Sequence, residues 1–156
     1  MNTAAQRERE LVITRIFDAP RELVFSVWTR PEQVTRWWGP NDFTLPVCEM
    51  EFRVGGTYKY CMRAPDGSDH WVWGTYREII EPEKLAFTWV RGDKDGGNVT
   101  TDSTLVDLTF LDSDGRTEFT LRQGVFETQK ECDEHYGGWS ECMTRLSDYV
   151  EKVNFG

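Results

Sequence analysis

No stretch of this chain approaches the run of about 18 apolar residues that a membrane-crossing helix needs, so membrane insertion is not expected. The opening residues, MNTAAQRERE, are polar and lack the apolar core of a secretory leader. They read as a disordered tail over residues 1–8 of a cytoplasmic protein. Positive charge is also short: 18 Lys and Arg stand against 27 Asp and Glu, for a net charge of −9. Such a chain repels phosphate backbones and anionic lipid, which argues against nucleic acid as a partner. The four cysteines, Cys48, Cys61, Cys132 and Cys142, include no Cys-x-x-Cys pair and match no zinc template. The two histidines, His70 and His135, lie far apart, so no metal and no other cofactor is expected. Glycine-rich phosphate loops, nucleophile–base pairs and paired catalytic carboxylates are missing as well.

Aromatic residues, in contrast, are plentiful: seven Trp, nine Phe and five Tyr in 156 residues. One domain over residues 9–156 is expected from this length, large enough to bury roughly two thirds of its unfolded surface. The most informative segment runs from Arg36 to Gly56. It sets Trp37 and Trp38 against a Gly39-Pro40 stop, continues as a half-apolar strand and ends on Gly55-Gly56. Adjacent indoles of this kind close a core or wall a cavity.

The pattern along the chain predicts a strand over Leu11–Phe17 and a helix over Arg21–Thr29 that opens after Pro20. A second short helix is expected over Glu32–Trp38. Six strands follow, over Phe43–Arg53, Thr57–Arg63, His70–Ile80, Lys84–Arg91, Thr104–Leu111 and Arg116–Phe126. Residues 92–102, GDKDGGNVTTD, read as a polar and mobile loop. From Trp139, apolar residues recur at Cys142, Met143, Leu146, Tyr149, Val150 and Val153, the stripe of one amphipathic helix. Thr128 can cap an earlier turn. The fold class is therefore α+β: a curved antiparallel sheet of seven strands around a long C-terminal helix, with two short helices after the first strand.

Period-two alternation sorts the strands into faces. Tyr58, Tyr60 and Met62 share one face of their strand, as do Val72, Gly74 and Tyr76 on the next. Val106, Leu108 and Phe110, then Phe119, Leu121, Gln123 and Val125, continue that face. It points to the long helix and to Trp139 and Met143 upon it, with Trp38 closing the side. Plain core packing accounts for these rings equally well. Gln123 is the polar exception and needs a ligand, a water or a tyrosine hydroxyl as partner. His70 opens its strand, either as a cavity hydrogen-bonding group or general base or as a strand-end surface residue. His135 reads as a solvated residue ahead of the last helix. Glu49 and Glu51 belong to a solvated face, and Cys48 and Cys61 are small hydrophobes. Trp71 and Trp73 face outward as an aromatic patch suited to a homodimer or another partner.

The phrases FDAPRELVFSVWTRPEQVTRWWGP (17–40), CEMEFRVGGTYKY (48–60), GTYREIIEPEKLAFTW (74–89), TLVDLTF (104–110) and GGWSECMTRLSDYVE (137–151) occur in this order. In them the chain resembles the activator-of-heat-shock-protein-90-ATPase-like group of the START / Bet v 1-like superfamily. The resemblance implies a helix-grip fold with a cavity between sheet and C-terminal helix. The superfamily includes lipid carriers, hormone receptors, polyketide cyclases, chaperone activators and oxygenase subunits, and a shared fold does not choose among them. The oxygenases need iron and cluster ligands that two histidines and scattered cysteines do not supply. The expectation is a non-enzymatic binding protein for a small hydrophobic or aromatic molecule. A cyclase- or dehydratase-like enzyme using His70 or a pocket tyrosine, and an interaction module for a chaperone or other protein, are the alternatives.

Overall fold

The computed structural model of the chain describes residues 9–97, 99 and 101–155, so the expected tail over residues 1–8 lies outside the described residues. Seven strands form one antiparallel sheet: β1 (Leu11–Phe17), β2 (Thr44–Met50), β3 (Thr57–Arg63), β4 (Asp69–Ile80), β5 (Lys84–Gly92), β6 (Thr101–Ser113) and β7 (Arg116–Gly124). Their spatial order is β1-β7-β6-β5-β4-β3-β2, so β2 to β7 meander while β1 joins the far edge beside β7. The helices are α1 (Arg21–Ser26), α2 (Pro31–Val34) and α3 (Gln129–Phe155). At 27 residues α3 is about 40 Å long and lies along the apolar face of the sheet, as the helix-grip arrangement requires.

The inward face follows the expected alternation. Tyr58, Tyr60, Met62, Val72, Tyr76, Val106, Leu108, Phe110, Phe119, Leu121 and Gln123 are all buried. Against them α3 buries Met143, Leu146 and Val150, none of which keeps any exposed surface. The α1–α2 segment plugs the side with Phe25, Trp28 and Trp37; Trp28 and Trp37 meet edge to face at 4.5 Å between ring centres. Burying an aromatic side chain in this way contributes about 2–3 kcal/mol each.

Several boundaries differ from the sequence expectation; β2, for one, covers Thr44–Met50 instead of Phe43–Arg53. The two short helices end early, α1 at Ser26 and α2 at Val34. In α1 the Ser26 hydroxyl bonds back to the Leu23 carbonyl at 2.7 Å and that of Thr29 to the Ser26 carbonyl at 2.7 Å. Such local bonds compete with the helical ladder, and the turn tightens into i to i−3 bonds at Trp28 and Thr29. The last strand stops at Gly124, leaving Val125 half-buried off the sheet and Phe126 buried in its place.

The largest difference is in α3, which begins at Gln129, ten residues ahead of Trp139, and runs straight through Gly137-Gly138. Two interior glycines cost a helix about 2 kcal/mol of propensity. Thr128 offsets part of this by capping, its Oγ1 accepting the Glu131 N–H at 3.1 Å. Gln129 adds a bond to Asp133 at 2.9 Å, and the early turns bury Cys132 and His135. The glycine-rich loop is likewise shorter than expected, since β5 extends to Gly92 and β6 starts at Thr101. Between them Asp93 and Gly97 close a tight turn at 2.9 Å, while Asn98 and Thr100 of that loop lie outside the described residues.

Candidate functional site

Directly beneath the tyrosines of β3 and β4 the interior is filled. The void between Trp28, Trp38, Tyr58, Tyr60, Tyr76, Leu85 and Phe87 measures only about 10 Å³, less than one water occupies. Tyr58 donates its hydroxyl to the Thr88 carbonyl. Burial holds the Tyr58, Tyr60 and Tyr76 phenols above their ordinary pKa, which keeps them protonated at neutral pH. Gly74 makes this packing possible, because a Cβ there would stand 1.9 Å from the Thr88 carbonyl oxygen and 2.8 Å from the Tyr58 ring. Val72, Phe110, Phe119 and Met143 also belong to the packed core and do not border an opening.

Gln123 has its partners within the protein. Its Nε2 donates to Thr104 Oγ1 at 2.8 Å and its Oε1 accepts the Trp139 indole N–H at 2.7 Å. The expected partner of Gln123 is thus corrected: an indole and a threonine, rather than a ligand, a water or a tyrosine, satisfy the buried amide. This bond also fixes the plane of Trp139.

The open space lies further along, where the first half of α3 crosses the end of β3, β4 and β5. It is a pocket of about 140 Å³. Three indoles form its floor: Trp38 and Trp89 are stacked at 6.0 Å, and Trp139 stands 5.4 Å from the first and 5.2 Å from the second. Met62 and Phe43 add apolar walls. Of the residues singled out from sequence, Trp38, Met62, His70 and Trp139 therefore meet here. His70 pairs across the strands with Met62, its ring 6.0 Å from Phe43 and its Nε2 3.1 Å from the Ser68 hydroxyl.

The wall opposite the sheet is the turn from Trp38 to Phe43, stapled to α3. Gly39 takes a φ of +100°, a conformation that favours glycine, and its N–H points to Cys142 Sγ at 3.4 Å. Burial pushes the Cys142 thiol up to about 12, so it serves as a packed donor–acceptor and not as a nucleophile. Arg145 Nη1 faces the carbonyls of Trp38, Gly39, Pro40 and Phe43 at 2.8–3.3 Å. Glu141 accepts the Asn41 N–H at 2.8 Å.

Polar groups gather on the remaining side. His135 is buried, correcting the expectation of a solvated residue, because α3 has already formed there and turns it inward against Trp89 and Phe126. Its Nδ1 lies 2.8 Å from the Glu131 carbonyl and must carry the proton, since a carbonyl only accepts. Nε2 is buried without a hydrogen-bond partner among the described residues. Burial, more than any charge, lowers the His135 pKa, with Arg91 adding to the effect. Arg91 lines the same pocket, half-buried, and its guanidinium makes no hydrogen bond and no ion pair within 4 Å among the described residues. The indole N–H of Trp89 is buried and unpartnered as well.

Arg91, Trp89 and His135 were not picked out from sequence as site residues, yet each left a signal there. Leu85, Phe87, Trp89 and Arg91 follow one another at period two, so Arg91 is a charge on an otherwise apolar face. Cys132, His135 and Trp139 precede Cys142 and Leu146 on one helical stripe once α3 is carried through the glycines. Trp71 and Trp73 are half-buried instead of openly exposed, with Lys59 Nζ 5.2 Å over the Trp71 ring. Glu51 pairs with Arg53 at 3.1 Å on the solvated side. Burial pushes the Cys48 thiol up to about 12 and raises that of Cys61. Among the described residues no cluster of metal-ligating side chains occurs, and no helix is long and apolar enough to cross a membrane.

A family model described as "Activator of Hsp90 ATPase homolog 1-like protein" matches residues 18–151. No curated protein matches the chain. Among solved structures, a protein from Chromobacterium violaceum superimposes with a TM-score of 0.81 at 24% identity, over 92% of this chain and 98% of that one. A solution structure of a protein from Arthrobacter aurescens gives 0.81 at 26% identity, over 94% and 88%. An AHSA1 protein from Silicibacter pomeroyi gives 0.80 at 19% identity, over 92% and 99%. At these identities the likeness carries the fold.

Proposed function

This chain belongs to the Activator of Hsp90 ATPase homolog 1-like family, and within it we propose a binding protein for a small aromatic molecule, held in the pocket between β3–β5 and the first half of α3. The observation that carries this reading is the chemistry of the walls. Three indoles give a flat apolar floor, and at its edge the Arg91 guanidinium has no hydrogen bond or ion pair among the described residues. A half-buried guanidinium with no ion pair, set beside an apolar aromatic floor, favours a flat guest that brings it an acceptor.

Size restricts the guest. A closed cavity of about 150 Å³ takes up benzene, so the 140 Å³ here seats one ring, and a sterol or a flavonoid would extend out of the mouth. Tryptophan fluorescence provides the test. Single-ring compounds such as benzyl alcohol and benzamide should quench or shift the emission saturably. Gly138 offers a specific block, because a Cβ there meets only Pro40, at 3.7 Å, and a larger side chain extends toward the pocket mouth. The variant Gly138→Leu should fold and lose the response. Failure of every single-ring compound to bind the wild-type protein would overturn the proposal.

A further inference from the structure

We infer that the guest is a monocarboxylate, a single aromatic ring bearing one carboxyl group, with Arg91 as its anchor. This rests on the binding role proposed above and adds the identity of the polar end. The donor group that faces the opening is the Arg91 guanidinium, whereas the unpartnered acceptors nearby, His135 Nε2 and Glu131 Oε2, are buried away from it. Arg91 carries five N–H donors, none engaged by hydrogen bond or ion pair among the described residues. Trp89, two residues before it on the same face of β5, offers the guest its ring, while its N–H is buried without an acceptor among the described residues. A carboxylate accepts at two oxygens and matches the planar guanidinium fork, which neither an alcohol nor an amine does.

The apolar part follows from the floor. An aromatic ring lying on Trp38, Trp89 and Trp139 replaces water on three indole surfaces and places a substituent toward the Arg91 side. Glu131 and Glu134, on the turn of α3 that faces Arg91, act on it electrostatically without reaching it. Glu134 lies 4.0 Å from Lys130, one turn back on α3. These two carboxylates favour the charged guanidinium but repel further negative charge, which restricts the guest to a single carboxyl group. Dicarboxylates and phosphates are therefore repelled more strongly than a single carboxylate.

The experiment is a titration of the wild-type protein at neutral pH, by calorimetry or fluorescence, with benzoate, phenylacetate, benzamide, benzyl alcohol, benzylamine and phthalate. Benzoate or phenylacetate should bind about tenfold or more tighter than benzamide, the neutral isostere, a difference typical of a charge-assisted fork. Arg91→Gln should remove that preference, bringing benzoate and benzamide to within about twofold of one another. Arg91→Lys, which keeps the charge without the fork, should restore only part of it. Equal binding of benzoate and benzamide, tighter binding of benzylamine or phthalate, or a carboxylate preference that survives in Arg91→Gln would overturn the inference. In each of those cases the pocket still binds single-ring compounds. Absence of binding by all six compounds would instead overturn the binding role and the inference together. The comparison within the wild-type protein decides the matter even where the variants fold poorly.

Discussion

The indole N–H of Trp139 donates to Oε1 of Gln123 at 2.7 Å, linking the middle of α3 to β7 through the interior. Thr104 Oγ1 closes the chain by accepting from the other end of the same amide at 2.8 Å. All three residues are buried, Gln123 with no exposed surface at all. Gln123→Leu should therefore destabilise the protein by about 1–3 kcal/mol, because it leaves an indole N–H buried without an acceptor. Urea denaturation measures the loss. In the double variant with Trp139→Phe the two costs should add to less than their sum, since the second change removes the stranded donor.

Arg145 gathers the carbonyls of the 38–43 turn onto α3. Its Nη1 has only two hydrogens, so the four oxygens share them. Arg145→Met keeps the aliphatic stem and removes the bonds. It should cost about 2 kcal/mol, as expected for hydrogen bonds to a charged group. Amide hydrogen exchange at residues 39 and 41–43 should accelerate more than exchange in β6 and β7. Uniform acceleration everywhere would contradict a local staple.

Close packing at Gly74 gives a prediction of opposite character to that at Gly137. A methyl group at position 74 must displace the Thr88 carbonyl, and Gly74→Ala should cost about 1–3 kcal/mol or more through forced shifts in β3 to β5. Gly137 has open space around its would-be Cβ. Gly137→Ala should raise stability by about 1 kcal/mol through helix propensity alone. Thermal unfolding of the two variants reads both signs.

His135 predicts a pH dependence. Its native pKa lies below the ordinary 6.5, so the unfolded chain binds a proton more readily than the folded one. Its contribution to stability is complete above pH 6.5 and is lost as pH falls from there through the depressed native value. The charged and titratable groups around it are Glu131 and Glu134 on its own helix and Arg91 on β5. Asp66 and Asp69 also have lowered pKa values, but their effects fall at and below 3.8, outside this window. The wild-type unfolding free energy should decline below pH 6.5 more steeply than that of His135→Gln. Parallel profiles would rule out His135 as the source.

Much of the architecture was legible in the residues themselves. Strands β1 and β3 follow the expected ranges because β-branched runs and Gly-Gly or Pro-Asp-Gly turns bound them sharply. The start of α3 was obscured by Gly137-Gly138, whose low propensity is outweighed by the Thr128 cap and by the burial of Cys132 and His135. That single boundary hid half of the polar side of the pocket. The tyrosines of β3 and β4 show the converse. Alternation places them on the inner face, but it cannot distinguish rings that surround a space from rings that fill it. Gly74 and the turn carrying Trp38 let them fill it, and the opening moves to where β5 ends its apolar series on Arg91.

The two halves of α3 carry separate duties. Beyond Cys142, residues Met143, Leu146 and Val150 are sealed from solvent, and this half anchors the architecture. Ahead of it, Glu134, His135, Gly138 and Trp139 border the opening. Substitutions in the leading turns therefore reshape the opening, while substitutions in the trailing turns disturb the sealed core.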